Sequence, residues 1–349
     1  MSNRKWGESF LKSGLPLEHM IAMKLRAEDW RVSANLEYAR AGKEEPKWFE
    51  VDLFARSPNK NLDTELSLLV ECKYHDSMFF WMFLPTTVNE GRMLERGDAQ
   101  FLNCCPAHTL KAPQNDRFLK LAPLSSVGVV LSNAGDKQDN AVHTAMQQLS
   151  HALVPIIMPR MLSRMDMILS EVPGLGIDNS VVIPMVVTNA TLYRLRPDIS
   201  DLATIRNAAA PEDIADKVNW TWCRNEATSS ATASNRAIIA SIEKSDWLKA
   251  VPWFRLQMRS LISKPSWIAV VNADAFDEVL AEIEAAFTLT PMFWMSEAIE
   301  RHNRFSAESA ARLQKFEEQE EQEKREQRAA GSEEEQGSDE ETEPDDIPF

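Results

Sequence analysis

The chain has 349 residues, of which 44% are hydrophobic, and this is enough to close the core of one large domain or two ordinary ones. Its formal net charge is −15, but residues 317–349 hold 15 acidic and 3 basic residues, so the remaining body is near neutral. This excludes the uniformly basic surface of a protein that coats nucleic acid, while it permits local phosphate contacts. No signal-peptide core opens the sequence and no apolar run reaches the roughly 18 residues of a membrane span, so we expect a cytoplasmic protein with no membrane partner.

The first predicted elements are one helix and three strands. The segment "GLPLEHMIAMKLRAEDW" places apolar residues at helical spacing after a glycine and a proline that mark its start. The segments "WRVSANLEYAR", "WFEVDLFAR" and "LSLLVECKYHD" follow. Because turn-rich sequence separates them, they indicate three strands joined as hairpins.

Strands and helices alternate in the rest of the chain. Residues 77–125 contain the aromatic run "MFFWMFLP" and loop-like sequence, and we interpret them as an insertion. The segment "VGVVLSN" then predicts a strand, "DNAVHTAMQQLSHALV" a helix, "SVVIPMVVTNATLYRL" a buried strand, and "SWIAVVNADAFDEVLAEIEAAF" a strand followed by a helix. We therefore predict an α/β fold with a mixed sheet covered by helices on both faces.

The later segments and the cysteines complete this outline. Residues 201–295 either complete the core or form an accessory subdomain. A charged helix is expected over residues 296–330, and composition predicts disorder over residues 331–349. The four cysteines form no C-x-x-C pair, so we expect reduced core residues rather than disulfides or a zinc site; they are Cys72, Cys104, Cys105 and Cys223.

Charged residues interrupt two of the predicted strands. Because side chains alternate along a strand, Glu71 and Lys73 should share one face, while Leu68, Val70, Cys72 and Tyr74 occupy the other. The preceding strand should likewise point Phe49, Val51 and Leu53 one way and Glu50 and Asp52 the other. One face would then be core and the other charged. If the two strands pair, Asp52 and Glu71 can converge.

Two carboxylates beside a lysine suit the hydrolysis of a phosphodiester by a hard cation. Mg²⁺ or Mn²⁺ prefers oxygen ligands, and Mg²⁺ needs only one or two protein carboxylates. A lysine can orient or deprotonate the attacking water, or stabilise charge on the phosphate. The alternative is a solvated strand face, and the tripeptide alone does not decide, since "EPK" at Glu45 to Lys47 lies in a predicted turn. Two features favour a catalytic site over a solvated face. Glu71 follows an apolar strand, and Asp52 lies on the adjacent predicted strand.

This order of elements and residues resembles the PD-(D/E)xK, or restriction-endonuclease-like, nuclease superfamily. The matching pieces are "FEVDLFA" and "LLVECKY", and the resemblance covers roughly residues 8–200 of a nuclease-like core expected over residues 1–200. It implies a mixed sheet flanked by helices and a metal held by Asp52, Glu71 and Cys72. It also implies that Lys73 acts on the attacking water. Glu18 would assist through a ligand or water. Val51 stands where the family name has proline.

The resemblance implies a Mg²⁺- or Mn²⁺-dependent deoxyribonuclease, an endonuclease in our reading, that acts on DNA and can pair as a homodimer. Gln147 or Gln148 is either the helical glutamine of some subfamilies or a surface or capping residue. His143 and His151, eight residues apart on one predicted helix, indicate no metal site. No glycine-rich phosphate loop appears, so nothing suggests ATP hydrolysis by the chain itself.

The last five residues, "DDIPF", place an apolar tip on an acidic leash. Phe349 can fill an apolar pocket while its α-carboxylate contacts a basic residue of a partner. Asp345 and Asp346 can contact basic residues at the rim of that pocket. Pro348, after Ile347, limits the conformational entropy that the tail loses on binding. The tip resembles the C-terminus of bacterial single-stranded DNA-binding proteins, which recruits replication and repair enzymes. It implies that proteins which bind that tip are partners.

Three alternatives stay open. The tail can be a solubilising segment with a chance ending, or it can fold onto the phosphate-binding cleft and inhibit it. The whole chain can also be a non-catalytic adaptor or inhibitor that keeps a nuclease-like scaffold and competes for tail-binding pockets, since a fold alone does not give a function.

Overall fold

The computed structural model describes residues 5–40, 47–58, 64–86, 102–103, 120–132, 137–138, 141–169, 176–177, 179–245, 252–288 and 293–294, together with helical positions 314, 315, 318, 319, 322 and 325. Over these residues the chain is an α/β protein with one large mixed sheet flanked by helices. The predicted fold class is thus confirmed at this level.

The strands within the described ranges fall into two sheets. In chain order they are β1 (Arg31–Arg40), β2 (Lys47–Arg56), β3 (Thr64–Lys73), β4 (Phe79–Pro85), β5 (Leu102–Asn103), β6 (Leu124–Ser132), β7 (Lys137–Gln138), β8 (Gly176–Ile177), β9 (Asn179–Thr188), β10 (Thr191–Leu195), β11 (Ala215–Val218), β12 (Trp220–Arg224), β13 (Trp267–Asn272) and β14 (Phe293–Trp294). The large sheet has the order β1-β2-β3-β9-β13-β12-β6-β4-β10-β11, with β5 on β9 and β7 on β6. β8 and β14 pair separately.

Helices cover both faces of the large sheet, as predicted. In chain order they are α1 (Lys5–Lys12), α2 (Leu15–Ala27), α3 (Ala141–Leu169), α4 (Leu202–Asn207), α5 (Ser229–Glu243), α6 (Pro252–Ser260) and α7 (Phe276–Thr288). The α2-side core holds Ile21 of α2 and Val279 of α7 against one face. The α3-side core holds Leu149 of α3, Ile239 of α5 and Phe254 of α6 against the other. No helix among the described residues is long and apolar enough to cross a membrane.

The hairpin of β1, β2 and β3 is antiparallel, as predicted. β3 then pairs parallel with β9, which places it inside the sheet. Leu68 and Val70 lie in the α2-side core, whereas Leu69 lies in the α3-side core. The prediction of one core face and one charged face was therefore wrong at Leu69, because an interior strand is covered on both faces. Glu71 does lie on the face opposite to Val70 and Cys72.

The aromatic run forms β4, an interior strand between β6 and β10, although we expect an insertion over residues 77–125. Trp81 and Phe83 are fully buried. Gly128 of β6 lies opposite Phe83, and a Cβ at this position would come within 2.5 Å of the phenyl ring. The ring thus occupies the space that a side chain at residue 128 would need.

Other boundaries differ from those predicted. The segment predicted as one buried strand is split at Asn189 into β9 and β10. Asn189 accepts a hydrogen bond from the backbone N–H of His75 and donates one to its carbonyl, both at 2.7 Å, so it ties the end of β3 to this bend. β12 and β13 lie in the middle of the large sheet. Cys72 and Cys223 are free and buried, whereas Cys104 and Cys105 lie outside the described residues.

Candidate active site

The site begins at an irregular position shared by β1 and β2. The register pairs Ala34 with Leu53 and Leu36 with Val51, and therefore places Asn35 opposite Asp52, where no regular pairing occurs. Asn35 has a φ of 49°, in the left-handed region that asparagine tolerates better than most residues. A residue of this conformation bends the strand and rotates the side chains that follow it.

The irregularity changes which face each side chain of β2 meets. Val51 packs in the α3-side core, but Leu53, two residues later, packs in the α2-side core. Residues two apart in a regular strand share a face. The prediction that Phe49, Val51 and Leu53 point one way and Glu50 and Asp52 the other was therefore wrong, because Asp52 stands where the alternation switches.

β2 and β3 separate next to Asp52. The paired register runs from Arg56 opposite Ser67 to Leu53 opposite Val70 and ends there. Beyond it, Cys72 donates its backbone N–H to Oδ2 of Asp52 at 2.6 Å. The N–H and C=O of one strand residue point to the same side, so the carbonyl of Cys72 also points toward Asp52. The gap is therefore lined by a carboxylate and a main-chain oxygen.

Glu71 lies beside this gap, on the α3 side of β3, and is only 1% exposed. Its Oε1 accepts a hydrogen bond from Nζ of Lys73 at 2.6 Å. Its Oε2 is buried with no hydrogen-bond partner among the described residues. Burial, followed by the charge of Asp52, raises the pKa of Glu71 to about 7, against the opposing effect of Lys73. The carboxyl of Glu71 therefore holds a proton more tightly than an exposed glutamate does.

Glu18 approaches the gap from the other layer. Gly14 has a φ of 83° and begins the turn into α2, and a Cβ there would lie 3.4 Å from Oε1 of Glu18. Burial and then Asp52 raise the pKa of Glu18, while Lys73 lowers it. Burial also raises the pKa of Asp52, although its hydrogen bond from Cys72 opposes this. Glu18, Asp52, Glu71 and Lys73 therefore influence one another's ionisation.

Cys72 contributes to the gap through its backbone. Its side chain packs in the α2-side core, and burial raises the pKa of the thiol well above its usual value, so a thiolate ligand is disfavoured. Within the described ranges, no group of three or more His, Cys, Asp and Glu side chains is arranged to hold a metal ion. A hard cation that keeps several waters needs fewer side chains than that. Oε2 of Glu71, the carboxylate of Asp52 and the carbonyl of Cys72 are oxygen donors of the kind that such an ion prefers.

A second polar group adjoins Glu71 on the α3 side, and sequence reasoning missed it. Tyr38 of β1 donates its hydroxyl hydrogen to the carbonyl of Gln148 at 3.5 Å and accepts a hydrogen bond from Arg40 at 3.0 Å. Gln147 contacts His143 instead. The only sequence signal was the spacing of Tyr38 and Arg40, which places both on one face at the end of β1.

No protein-family model, no curated protein and no solved structure matches the chain. The resemblance to the nuclease superfamily therefore stays a prediction that rests on residues and their geometry. Residues 345–349, which carry the predicted docking tip, lie outside the described residues, and so does most of the predicted charged helix over residues 296–330.

Proposed function

We propose that the protein is a metal-dependent DNA nuclease, acting as an endonuclease, that hydrolyses phosphodiester bonds at the gap between β2 and β3. The proposal is supported mainly by the environment of the Glu71 carboxyl group. This group is buried beside Asp52, and one of its oxygens accepts a hydrogen bond from Lys73. The other oxygen has no partner within the described structure. A buried acceptor without a partner is unfavourable by about 1–3 kcal/mol, so a ligand that binds this oxygen would remove that cost.

Mg²⁺ or Mn²⁺ at this gap would be held by Asp52, Glu71 and the carbonyl of Cys72, and it would offset charge on the phosphate and acidify its water. Lys73 is only partly buried, and its ammonium group keeps two further N–H donors besides the one on Glu71. These donors can orient the attacking water and contact the phosphate. Glu18 can accept a hydrogen bond from that water, since a raised pKa makes it a better proton acceptor than an exposed carboxylate.

The C-terminal residues form the proposed partner-binding segment. The sequence ends in "DDIPF" after an acidic leash, so we propose that Asp345, Asp346, Ile347, Pro348 and Phe349 bind replication and repair proteins that read such tips. A tail peptide should bind such a protein at low salt and lose binding when Phe349 is deleted. The affinity should fall as the salt concentration rises, because salt screens the contacts of the acidic residues.

Cleavage assays test the catalytic proposal. Purified full-length protein is incubated with Mg²⁺ or Mn²⁺ and plasmid, linear duplex or single-stranded DNA. We expect cleavage that EDTA stops and that Asp52→Ala and Lys73→Ala reduce by about a hundredfold or more. Glu37→Gln, which removes an exposed carboxylate of β1, is the matched control and should cleave like the wild type. Cleavage that both site variants retain would show that a different site, or a contaminant, is responsible.

A non-catalytic adaptor is the second candidate. It is favoured because no three His, Cys, Asp or Glu side chains in the described part of the chain are arranged to hold a metal ion. Deleting Phe349 separates the two candidates in cells. If the deletion abolishes function and Lys73→Ala does not, the adaptor is supported, whereas the reverse pattern supports the enzyme.

A further inference from the structure

Arg40 ends β1 at the edge of the large sheet, on the same side of the sheet as Glu71 and α3. Its guanidinium carbon lies 3.7 Å from the ring centroid of Phe49, and its Nη2 donates to the hydroxyl of Tyr38 at 3.0 Å. Two contacts with rigid aromatic side chains therefore fix the plane of the guanidinium group. Stacking of this kind favours arginine over lysine.

The charge of Arg40 has no acidic partner in the described part of the chain. Its Nε is buried and makes no hydrogen bond there. A partly buried cation normally has an anion close by, because removing a charge from water is unfavourable. The ordered contacts of Arg40 instead come from two aromatic side chains, and neither accepts a hydrogen bond from Nη1.

The neighbouring side chains supply no such anion. His151 of α3 is 5% exposed, and its Nδ1 is buried without a partner among the described residues. Burial, followed by the charge of Arg40, lowers the pKa of His151 to about 4, so the imidazole is neutral at physiological pH. The Oε1 atom of Gln148 is also buried and unpartnered within that part of the structure. The effect of the Arg40 charge on His151 places this neutral ring, and no anion, near Arg40.

This group lies next to the gap that holds Glu71. Tyr38 bonds both Arg40 and the backbone of Gln148, and the charge of Glu71 contributes to the raised pKa of Tyr38 after burial. Arg40 is therefore placed beyond the carboxylates, along the end of β1, rather than among them. A ligand that reached both would have to be extended and to carry negative charge at more than one point.

We propose that Arg40 binds a backbone phosphate of the nucleic-acid strand, next to the phosphate that lies at Asp52 and Glu71. This inference rests on the proposed function for its substrate. Arg40 is partly exposed, and the end of its guanidinium group that carries Nη1 and Nη2 matches the two oxygens of a phosphodiester, whereas Nε is buried and takes no part. Tyr38 and Phe49 hold the group in place before binding. Arg40 is a binding residue in this arrangement and contacts no reacting atom.

Fluorescence anisotropy of a labelled oligonucleotide, measured in EDTA so that no cleavage occurs, tests the inference. We expect Arg40→Gln to weaken binding about tenfold and to lower the slope of log K against log salt by about one. Arg40→Lys keeps the charge but loses the planar stack, so it should keep the slope and weaken binding less. Arg31→Gln removes an exposed arginine at the opposite end of β1 and is the matched control, with little expected change.

Several outcomes would overturn the inference. One is an Arg40→Gln protein that is folded by circular dichroism and keeps the wild-type affinity and salt slope, and another is an equal effect of Arg31→Gln. If Arg40→Gln does not fold, Phe49→Leu, which removes the stack alone, must weaken binding while keeping the slope. Complete displacement of the oligonucleotide by inorganic phosphate at matched ionic strength would indicate a free-phosphate site and would also overturn it.

The same variants separate this inference from the proposed function. Arg40-dependent binding by a protein that cleaves no DNA in Mn²⁺ would remove the nuclease proposal and leave the phosphate contact in place. Cleavage that requires Lys73, with affinity and salt slope unchanged in Arg40→Gln, would remove the contact and leave the nuclease proposal.

Discussion

The backbone N–H of Cys72 donates to Oδ2 of Asp52 at 2.6 Å, where β2 and β3 stop pairing. A carboxylate thus accepts the hydrogen bond that a strand carbonyl would otherwise accept. Asp52→Asn retains an oxygen acceptor, whereas Asp52→Ala leaves the N–H of Cys72 without one. Both variants lose the same charge, so their comparison isolates the hydrogen bond.

We therefore expect the free energy of unfolding of Asp52→Ala to be about 1–2 kcal/mol lower than that of Asp52→Asn. Urea unfolding followed by circular dichroism would measure the difference. Equal stability of the two variants would show that water replaces the carboxylate as the acceptor. Neither variant should support cleavage, because the carboxylate charge is absent from both.

Glu71 should make the stability of the protein depend on pH. Its pKa in the folded protein is about 7, against 4.5 for an ordinary glutamate, so the folded state holds the proton more tightly. The stabilisation is complete below the unfolded pKa and is lost as the pH rises through the folded one. Glu71→Gln cannot titrate, so between about pH 5 and about pH 8 its unfolding free energy should gain about 2–3 kcal/mol relative to the wild type.

The measurement is urea unfolding of both proteins at a series of pH values and constant ionic strength. Glu37→Gln controls for the loss of one exposed carboxylate and should not reproduce the trend. A stability difference between Glu71→Gln and the wild type that stays constant over this range would mean that Glu71 is ionised throughout.

The affinity for a metal ion should rise with pH for the same reason. A cation at the gap requires ionised Glu71, so metal and proton compete for this carboxyl. We expect the dissociation constant for Mn²⁺ to fall by up to about tenfold per pH unit below pH 7 and to level off above it. Isothermal titration in two buffers of different ionisation enthalpy would also show a released proton. Affinity that is independent of pH would argue against Glu71 as a ligand.

Gly128 gives a prediction about the scaffold alone. An added Cβ would lie 2.5 Å from the ring of Phe83, which is fully buried, so the ring or its neighbours would have to shift. Gly128→Ala should therefore lower the free energy of unfolding by about 1–3 kcal/mol. Gly7→Ala in α1, where nothing lies within 4 Å of the new Cβ, should leave stability unchanged or slightly raised. If Gly128→Ala is as stable as the wild type, the ring is not fixed by its surroundings.

Local periodicity predicts the antiparallel arrangement of β1, β2 and β3 and the proximity of Asp52 to Glu71, because both depend on alternation within short segments. It does not predict the switch of faces at Asp52. That switch depends on Asn35 of the neighbouring strand, whose backbone adopts the left-handed conformation. An asparagine within a strand sequence does not by itself predict this conformation.

Non-local pairing explains the other differences. Phe79–Pro85 looks like an insertion in the sequence because its strand partners, β6 and β10, lie far along the chain. The group around Arg40 was missed for a similar reason, since Tyr38 and Gln148 are 110 residues apart and meet only when α3 packs on β1. A pattern within one segment carries no information about such contacts.

Ionisable groups on opposite faces of a continuous sheet are separated by its backbone. At Asp52, β2 and β3 are not paired. There the charge of Glu18, on the α2 side, contributes to the raised pKa of Glu71 on the α3 side. The contribution of Glu18 is smaller than those of burial, Asp52 and Lys73. A partner that displaces α2 would therefore lower the pKa of Glu71 by that small contribution, from the opposite face of the sheet and without moving a strand.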